Sequence, residues 1–421
     1  MIAPQASAKA ERRGAAGILR FVLSELKPKG KVFTLFNLIS VPIMLLSAVL
    51  LVIRFTRGLG SITNLSQNYP WGLWIGFDVV TGVAFAGGAY VITFLVYVLK
   101  QERYHSIVRI TVLNGFLAYV FYAGALLLDL GRPWNVVNPI IGNSFGVSSV
   151  LFLVAWHFML YMMAAFLEFS PAVAEWLGLR RARKILTSLT LGAVIFGVTL
   201  SMLHQSGLGA LYLMAKGKIH PLWYSEFIPV LFFVSSIFAG LSLVIFEGTI
   251  SRKVFRARMT DEHHAHHDDI VLGLSKICAG TMFAYLVLKV LDLVHGMKVG
   301  LLATPMGHWY LLEVVGFVLV PWILFTEAVR WRSQMLCKVA SVMTLVGILL
   351  NRLNVSTIAF KWYEPVRYVP TVWEFVVTAG VVFAEIWVLR WVVNRMPVLS
   401  DPPAWAVERK AAAASAADMA A

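Results

Sequence analysis

The stretch LTSLTLGAVIFGVTLSML, Leu186–Leu203, indicates the fold class, because none of its 18 residues carries a charge. A helix needs about 20 mostly apolar residues to cross the hydrocarbon core of a bilayer. A strand of a membrane β-barrel would alternate polar and apolar residues, and this stretch does not. The stretch therefore predicts a membrane-spanning helix.

Similar apolar stretches recur along the chain. The whole sequence is 59% hydrophobic and only 14% charged, with a mean hydropathy of +0.76, which excludes a water-soluble protein of this length. The sequence therefore predicts an all-α integral membrane protein with about ten transmembrane helices. The predicted spans are 33–54, 73–99, 108–129, 148–168, 186–204, 227–247, 270–294, 308–330, 336–353 and 372–394.

The segments outside the predicted transmembrane domain, residues 33–395, are short. Residues 1–32 form a leader whose stretch GILRFVLSELK predicts an amphipathic helix on the inner membrane surface. Residues 396–421 form a tail that we expect to be disordered. Neither segment has room for a soluble catalytic domain.

The net charge of +14 is informative through its distribution. Of the 36 Lys and Arg residues, 26 fall on the side of the predicted membrane that holds both termini. Positively charged segments stay in the cytoplasm during insertion, so both termini are predicted to be cytoplasmic. The basic residues thus indicate orientation and not a nucleic-acid partner.

Two ionisable residues near the predicted outer face suggest a quinone site. Each charge inside a span costs about 2.5–3.5 kcal/mol, so such residues are candidates for function. Asp78 lies at the start of the second span and His204 at the end of the fifth, where the two could share one pocket. Quinone reduction takes up two protons with two electrons, and a carboxylate and an imidazole can exchange them. An interhelical hydrogen bond is the alternative interpretation.

Other ionisable residues lie deeper or on the inner side. Glu168 and Glu247 end spans on the inner side, and Glu385 lies near the middle, so together they predict a proton route. Contact of the inner carboxylates with headgroup water is the alternative. Lys289 and Asp292 are expected to form a salt bridge at helical spacing.

The sequence argues against some cofactors in this chain and leaves other functions open. Two Cys residues are too few to ligate an iron–sulfur cluster, and the run DEHHAHHDD at 261–269 is too weak a signal to predict a metal site. The histidines leave a haem-b membrane cytochrome open as an alternative. An ion-coupled secondary transporter and a passive membrane anchor are further alternatives.

The sequence also resembles a known family, the NrfD/polysulfide-reductase (NrfD/PsrC) membrane subunits, and within it the HybB-type subunits of periplasmic nickel–iron hydrogenases. The motifs carrying this resemblance are GLGSITNLSQNYPWGLWIGFD (58–78), YHSIVR (104–109), DLGRPWN (129–135), NSFGVSSVLF (143–152), LEFSPA (167–172), MLHQSGLGAL (202–211), HPLW (220–223) and VIFEG (244–248).

The resemblance implies a fold and a function. The fold would be two four-helix bundles with two additional helices in the bacterial cytoplasmic membrane. The chain would contain no haem and would exchange electrons between menaquinone and a periplasmic ferredoxin-like iron–sulfur subunit. That subunit would in turn relay electrons from a catalytic subunit. Residues matching the family pattern imply a quinone pocket at Trp74, Asp78, Tyr119 and His204.

The resemblance further implies proton-route positions at Arg109, Glu168 and Glu247. One departure concerns the fourth span, where hydrogenase-type members carry a Glu after the residues Leu-Phe. This chain has Leu153 there, so a proton path through that carboxylate is not expected. The resemblance leaves the catalytic partner open.

Overall fold

A computed structural model describes residues 15–29, 31–141, 146, 148–256, 259 and 261–400, excepting the side chains of 15, 123, 139, 140 and 261–265. The predicted tail lies mostly outside these residues. A short helix, α1 (Ala15–Glu25), forms within the predicted leader. The ring of Phe21 packs on Trp176 with centroids 5.2 Å apart, and the Glu25 carbonyl accepts a hydrogen bond from Trp391. This helix therefore rests on the ends of two spans.

The described residues contain ten helices that are long and apolar enough to cross a membrane, which confirms the predicted number. Each predicted span falls on one of them. The helices are α2 Leu35–Arg57, α3 Ile75–Val98, α4 Glu102–Asp129, α5 Val150–Leu177, α6 Arg180–Leu213, α7 Ile228–Val254, α8 Asp261–His295, α9 Pro305–Arg330, α10 Gln334–Ile358 and α11 Val372–Val393.

Several helices extend well beyond their predicted spans, and α6 and α8 show this clearly. Helix α6 was predicted at 186–204, but it includes the basic run before and the small residues after that segment. Helix α8 begins at Asp261, so the run DEHHAHHDD is helical and prolongs the predicted span 270–294 at its start. Polar residues that favour helix can prolong a span past the hydrocarbon core, and hydropathy does not detect them.

The ten helices pack as two bundles and a flanking pair. Helices α3 to α6 pack on one another as the first bundle, and α7 to α10 as the second. Helix α2 packs on α11, and α11 packs on α4. This arrangement agrees with the predicted two four-helix bundles plus two additional helices. We call the end holding the connections 58–74, 130–141, 148–149, 214–227, 296–304 and 359–371 the loop-rich end, and the opposite end the basic end.

The two bundles meet through glycines of α3 and α7. A Cβ atom on Gly240 would lie 1.9 Å from the backbone nitrogen of Gly88, and one on Gly87 would lie 2.4 Å from the carbonyl oxygen of Ser236. Small residues allow membrane helices to approach this closely. The contact fixes the first bundle against the second.

Three π-helical segments lie near the loop-rich end. They are Ile75–Thr81 at the start of α3, Leu312–Leu319 in α9 and Asn354–Ile358 at the end of α10. Such segments are rare and occur often at functional sites. Each of the three contains a buried polar residue, namely Asp78, Glu313 and Asn354 respectively.

Candidate functional site

Asp78 is fully buried within the first π-helical segment. Its Oδ2 atom is 3.5 Å from the Thr378 hydroxyl on α11, and its Oδ1 atom has no hydrogen-bond partner among the described residues. Leaving a buried polar atom unpaired costs about 1–3 kcal/mol. Asp78 is therefore a position where a proton or a hydrogen-bonding ligand would be stabilised.

Tyr119 and His204 form a buried pair between α4 and α6. The Tyr119 hydroxyl is 3.0 Å from His204 Nδ1, and both side chains are almost inaccessible to solvent. Phe158 stacks on Tyr119 with centroids 5.6 Å apart, and Tyr161 approaches Tyr119 to 4.4 Å. The hydrogen bond fixes the orientation of the imidazole, while aromatic rings form the surrounding wall.

Asp78 lies on α3 and His204 lies on α6, and the two residues contact different partners. Gln205, beside His204, donates a hydrogen bond of 2.7 Å to the Val83 carbonyl of α3. On α4, Tyr122 lies one turn after Tyr119 and interacts electrostatically with Asp78. Helix α4 thus connects the surroundings of the two predicted residues. We call Asp78, Tyr119, Tyr122, His204 and Thr378 the first cluster.

Trp74 lies beside the first cluster and anchors the start of α3. The ring is buried, and its Nε1 donates a hydrogen bond of 3.1 Å to the carbonyl of Glu374 on α11. Glu374 also forms a capping box with Thr371 at the start of α11. Trp74 therefore holds the Asp78 segment against the helix that carries Thr378.

Two of the predicted proton-route carboxylates lie close to each other. Glu247 on α7 accepts a hydrogen bond from Asn114 on α4 and interacts electrostatically with Glu385 on α11. Glu385 in turn contacts Tyr122 of the first cluster. A cavity next to Asn114 and Glu247 reaches His267 near the basic end. These groups form one polar line between α4, α7 and α11.

Glu168 belongs to a second polar line. Its carboxylate packs beside Gly197, where a Cβ atom would lie 3.0 Å from Oε1. Glu168 interacts electrostatically with Tyr161 and with Tyr97. Tyr161 then contacts Tyr119. This line therefore points from the inner part of α5 towards the Tyr119–His204 pair.

Arg109 is held by a carboxylate that the sequence interpretation missed. Its two terminal nitrogens lie 2.7 and 3.1 Å from the Glu175 oxygens, and Arg183 contacts the same carboxylate at 2.8 Å. Glu175 is buried, with 2% of its surface exposed. The sequence did contain a signal for this contact, because Glu175 is an acidic residue within the otherwise apolar end of α5.

The second bundle contains an ionic network near the loop-rich end, which we call the second cluster. Glu313 accepts hydrogen bonds from Trp223 and Asn351 at 2.7 Å each, and from Asn354. Asn351 also accepts a bond of 2.9 Å from Arg352. The members of the second cluster are Trp223, Lys289, Asp292, Lys298, Glu313, Asn351, Arg352 and Asn354.

The expected salt bridge between Lys289 and Asp292 was wrong. Asp292 pairs with Lys298, whose Nζ lies 2.8 and 2.9 Å from the two carboxylate oxygens, and it accepts a bond from Ser225. Lys289 instead points at the ring of Tyr310, 5.3 Å from its centroid. Lys298 follows the end of α8, where the chain folds back over Asp292, so sequence spacing alone did not reveal the pair.

The two clusters are linked through their π-helical segments. A Cβ atom on Gly76 would lie 2.6 Å from the Ser356 hydroxyl and 3.0 Å from a methyl group of Leu353. Gly76 is two residues from Asp78, and Ser356 is two residues from Asn354. The Asp78 segment therefore packs directly on the segment that supplies a donor to Glu313.

Two loops close the loop-rich end above the clusters. The amide of His220 donates to the carbonyl of Ala359 at 2.9 Å, and Ile219 pairs with Phe360 in an isolated bridge. Burial lowers the pKa of His220, which favours the neutral ring whose Nδ1 accepts from the Leu222 amide at 3.3 Å. A neutral imidazole thus stabilises this closure.

Comparison with known proteins gives a family match over most of the chain. Residues 61–359 match the family model described as polysulphide reductase, NrfD. A protein of Nitratidesulfovibrio vulgaris strain Hildenborough is 43% identical over 369 residues, which cover 87% of this chain and 95% of that protein.

Two further relatives have informative names. The probable Ni/Fe-hydrogenase 2 b-type cytochrome subunit of Escherichia coli K12 is 30% identical over 379 residues, covering 89% of this chain and 94% of that subunit. The integral membrane subunit of menaquinone reductase from N. vulgaris is 26% identical over 329 residues, covering 70% and 74% of the two chains. The first relative is thus named as a subunit of a hydrogenase, and the second as the membrane subunit of a menaquinone reductase.

Proposed function

The chain belongs to the polysulphide reductase NrfD family, and we propose that it is the quinone-binding membrane subunit of a multi-subunit respiratory oxidoreductase. In this proposal it exchanges electrons between an iron–sulfur subunit and menaquinone. The name of the menaquinone reductase relative supports the choice of quinone, and the name of the E. coli relative favours a hydrogenase-like complex.

The observation that carries the proposal is the Tyr119–His204 pair, together with Asp78 on a segment that packs on the helix carrying Tyr119. Reduction of a quinone takes up two electrons in all and adds one proton to each of its two carbonyl oxygens, and oxidation reverses this. His204 retains a second ring nitrogen, and Asp78 has an oxygen without a partner among the described residues. We propose that these two residues exchange protons with the quinone, while Tyr119 orients His204.

The surrounding side chains suit a flat apolar ring. Phe158 and Tyr161 form an aromatic wall beside the Tyr119–His204 pair. Trp74 fixes the segment that carries Asp78. Binding sites of this kind combine apolar walls with a few polar groups that set orientation. The first cluster has both components.

Electrons would reach the site from a partner on the loop-rich end. The described loops expose apolar side chains there, with Tyr363 54%, Val366 80% and Val369 65% accessible. Exposed apolar residues close together are typical of interaction surfaces. We propose that a periplasmic ferredoxin-like iron–sulfur subunit binds this surface and connects the chain to a catalytic subunit.

Protons would reach the first cluster along the two polar lines. One line runs from Glu247 through Glu385 and Tyr122 to Asp78, and the other runs from Glu168 through Tyr161 to Tyr119 and His204. Arg109 would act in this proposal as a fixed positive charge at the basic end, because both carboxylate oxygens of Glu175 accept hydrogen bonds from its guanidinium group.

The test is the variant pair His204→Gln and Asp78→Asn in the purified complex. Electron transfer from a reduced viologen to a short-chain menaquinone analogue should fall about 100-fold or more, the contribution usual for acid–base groups. His295→Gln is the matched control, since His295 is exposed at the end of α8. Unchanged turnover in the double variant, with the partner subunits still bound, would refute the assignment.

A further inference from the structure

A cavity opens at the basic end of the second bundle, apart from both clusters. Its volume is about 670 Å³, and it lies where α7 ends and near the starts of α8 and α10. This volume falls within the range of about 300–1,000 Å³ that is usual for ligand sites. Four of its lining residues are cations and one is an acid, namely Arg252, Lys253, Arg256, Lys338 and Asp268. The cavity is therefore suited to an anion.

The carboxylate of this cavity is already engaged by one of the cations. Arg252 lies 3.0 Å from Oδ1 of Asp268, and the Asp268 carbonyl accepts a hydrogen bond of 3.0 Å from Gln334. Among the residues that the structure describes, Lys253 and Lys338 take part in no ion pair. Lys253 is exposed and Lys338 is half-buried. These two ammonium groups therefore remain available for an anion.

The shape of the cavity distinguishes it from a flat basic surface. Lysine and arginine are mostly exposed in proteins, so a solvated surface is the simpler alternative. Here the ring of His267, which is only 6% exposed, forms part of the wall. The pair of Arg252 with Asp268 joins α7 to α8, and the hydrogen bond from Gln334 joins α8 to α10. Three helix ends thus enclose one space, and cations line it from α7 and α10.

The rim of the cavity is apolar and indicates a lipid as the source of the anion. Ile250 and Val254 lie beside Lys253 on α7, and 45% and 60% of their surfaces are exposed. Met335, three residues before Lys338 on α10, is 68% exposed. Both helices are long and apolar enough to cross the membrane, so these side chains can contact acyl chains. A free ion in water would make no use of them.

The turn between α9 and α10 indicates the depth of the cavity in the membrane. Trp331 in this turn is 67% exposed, and its Nε1 donates a hydrogen bond of 2.6 Å to Glu327. Tryptophan is enriched at the level of the lipid headgroups. Gln334, three residues after Trp331, lines the cavity. The cavity therefore lies at the depth where a phospholipid carries its phosphate.

We propose that this cavity binds the phosphate headgroup of an anionic phospholipid. Lys253 and Lys338 contact the phosphate oxygens from two helices, while Ile250, Val254 and Met335 contact the acyl chains. Basic pockets between membrane helices bind anionic headgroups in this way. The bound headgroup joins α7 to α10 and thereby stabilises the basic end of the second bundle. The binding is reversible and involves no covalent step.

The experiment adds defined probes to the delipidated complex in detergent. Short-chain phosphatidylglycerol is the anionic lipid, short-chain phosphatidylcholine is the lipid without net charge, and inorganic phosphate is the free ion. Native mass spectrometry counts the bound lipid, and thermal unfolding measures stabilisation, because a ligand of the folded state raises the unfolding temperature. Phosphatidylglycerol should bind and raise the unfolding temperature, and the other two probes at the same concentration should not.

Double variants test whether the two lysines recognise the headgroup. Lys253→Gln with Lys338→Gln should bind phosphatidylglycerol about 30-fold more weakly, because each basic residue near a membrane surface changes lipid affinity about fivefold. Lys253→Arg with Lys338→Arg should bind as the wild type does. Lys100→Gln with Lys184→Gln is the matched control, since both lysines are exposed at the basic end outside the cavity. It should keep the wild-type affinity.

Several outcomes would overturn the inference. Equal binding of phosphatidylglycerol by the glutamine double variant and the wild type would place the lipid elsewhere, and equal binding of phosphatidylcholine would show that the charge is not recognised. An equal response to inorganic phosphate would make the cavity a site for a free ion. Equal loss of binding in the arginine variant would mean that positive charge is not what binds. The proposed function is tested separately, because no residue of the first cluster lines this cavity.

Discussion

The first and second clusters occupy the same end of two neighbouring bundles but differ in how their carboxylates are bonded. Asp78 makes one contact of 3.5 Å and has an oxygen without a partner among the described residues. Glu313 receives three hydrogen bonds from side-chain donors. The first carboxylate is thus free to bind a ligand or a proton, whereas the second is fixed by the protein.

This difference teaches that burial alone does not identify a ligand site in a membrane protein. Both carboxylates are inaccessible to solvent, and both lie in π-helical segments. What separates them is the number of donors that the surrounding helices supply. A carboxylate whose oxygens all accept hydrogen bonds stabilises the fold, and one with an oxygen left unbonded is suited to binding a ligand or a proton.

Removing the carboxylate of the second cluster should have the largest effect on stability. Glu313→Ala leaves three donors without their acceptor and leaves the charge of Arg352 uncompensated. Loss of one partner in a buried ionic network costs about 3–5 kcal/mol. Asp78→Ala should cost far less, because Asp78 makes a single long contact. Thermal unfolding of the detergent-solubilised complex measures both variants.

Glu327→Ala is the control on the same helix, since Glu327 is partly exposed and its pairing with Arg330 is 3.8 Å long. Its unfolding temperature should stay close to that of the wild type. Equal destabilisation by Glu313→Ala and Asp78→Ala would break the contrast between the two clusters.

A smaller effect, on activity, is expected in the first cluster. Tyr119→Phe removes the hydrogen bond that orients His204 and should slow quinone-linked electron transfer about tenfold, equivalent to about 1.4 kcal/mol. Tyr104→Phe is the matched control, because it removes a buried tyrosine hydroxyl near the other end of the same helix. Similar turnover in both variants would indicate that Tyr119 has no orienting role.

Hydropathy was sufficient to predict the ten spans, because each helix needs an apolar stretch long enough to cross the bilayer. Hydropathy does not detect polar extensions of a helix, as the start of α8 at Asp261 shows. The family resemblance, and not spacing, named Tyr119 and His204 as residues of one pocket, and the hydrogen bond between them was not predicted.

The connections between the clusters could not be predicted from the sequence. The partners of Glu313 come from two distant parts of the chain, Trp223 in a loop and the pair Asn351 and Asn354 near the end of α10, and only the folded chain brings them together. The contact of Gly76 with Ser356 spans 280 residues and has no local pattern. Single acidic residues such as Glu175 resemble many others until their partners are known.

The smallest effect is expected where the two clusters meet. In Gly76→Ala the new methyl group would lie 2.6 Å from the Ser356 hydroxyl and 3.0 Å from Leu353. The hydroxyl can rotate away but the leucine must shift, so we expect a loss of about 1 kcal/mol, at the lower limit for overpacking. Gly316→Ala is the control within the π-helical segment of α9, because its nearest atom would be 3.7 Å away.

The informative readout of this pair is quinone-linked electron transfer and thermal unfolding together. If the contact couples the Asp78 segment to the segment that supplies a donor to Glu313, Gly76→Ala should lower both electron transfer and the unfolding temperature. Gly316→Ala should leave both quantities unchanged. A loss of electron transfer with an unchanged unfolding temperature would mean that the contact only supports the shape of the first cluster, and that the two clusters work independently.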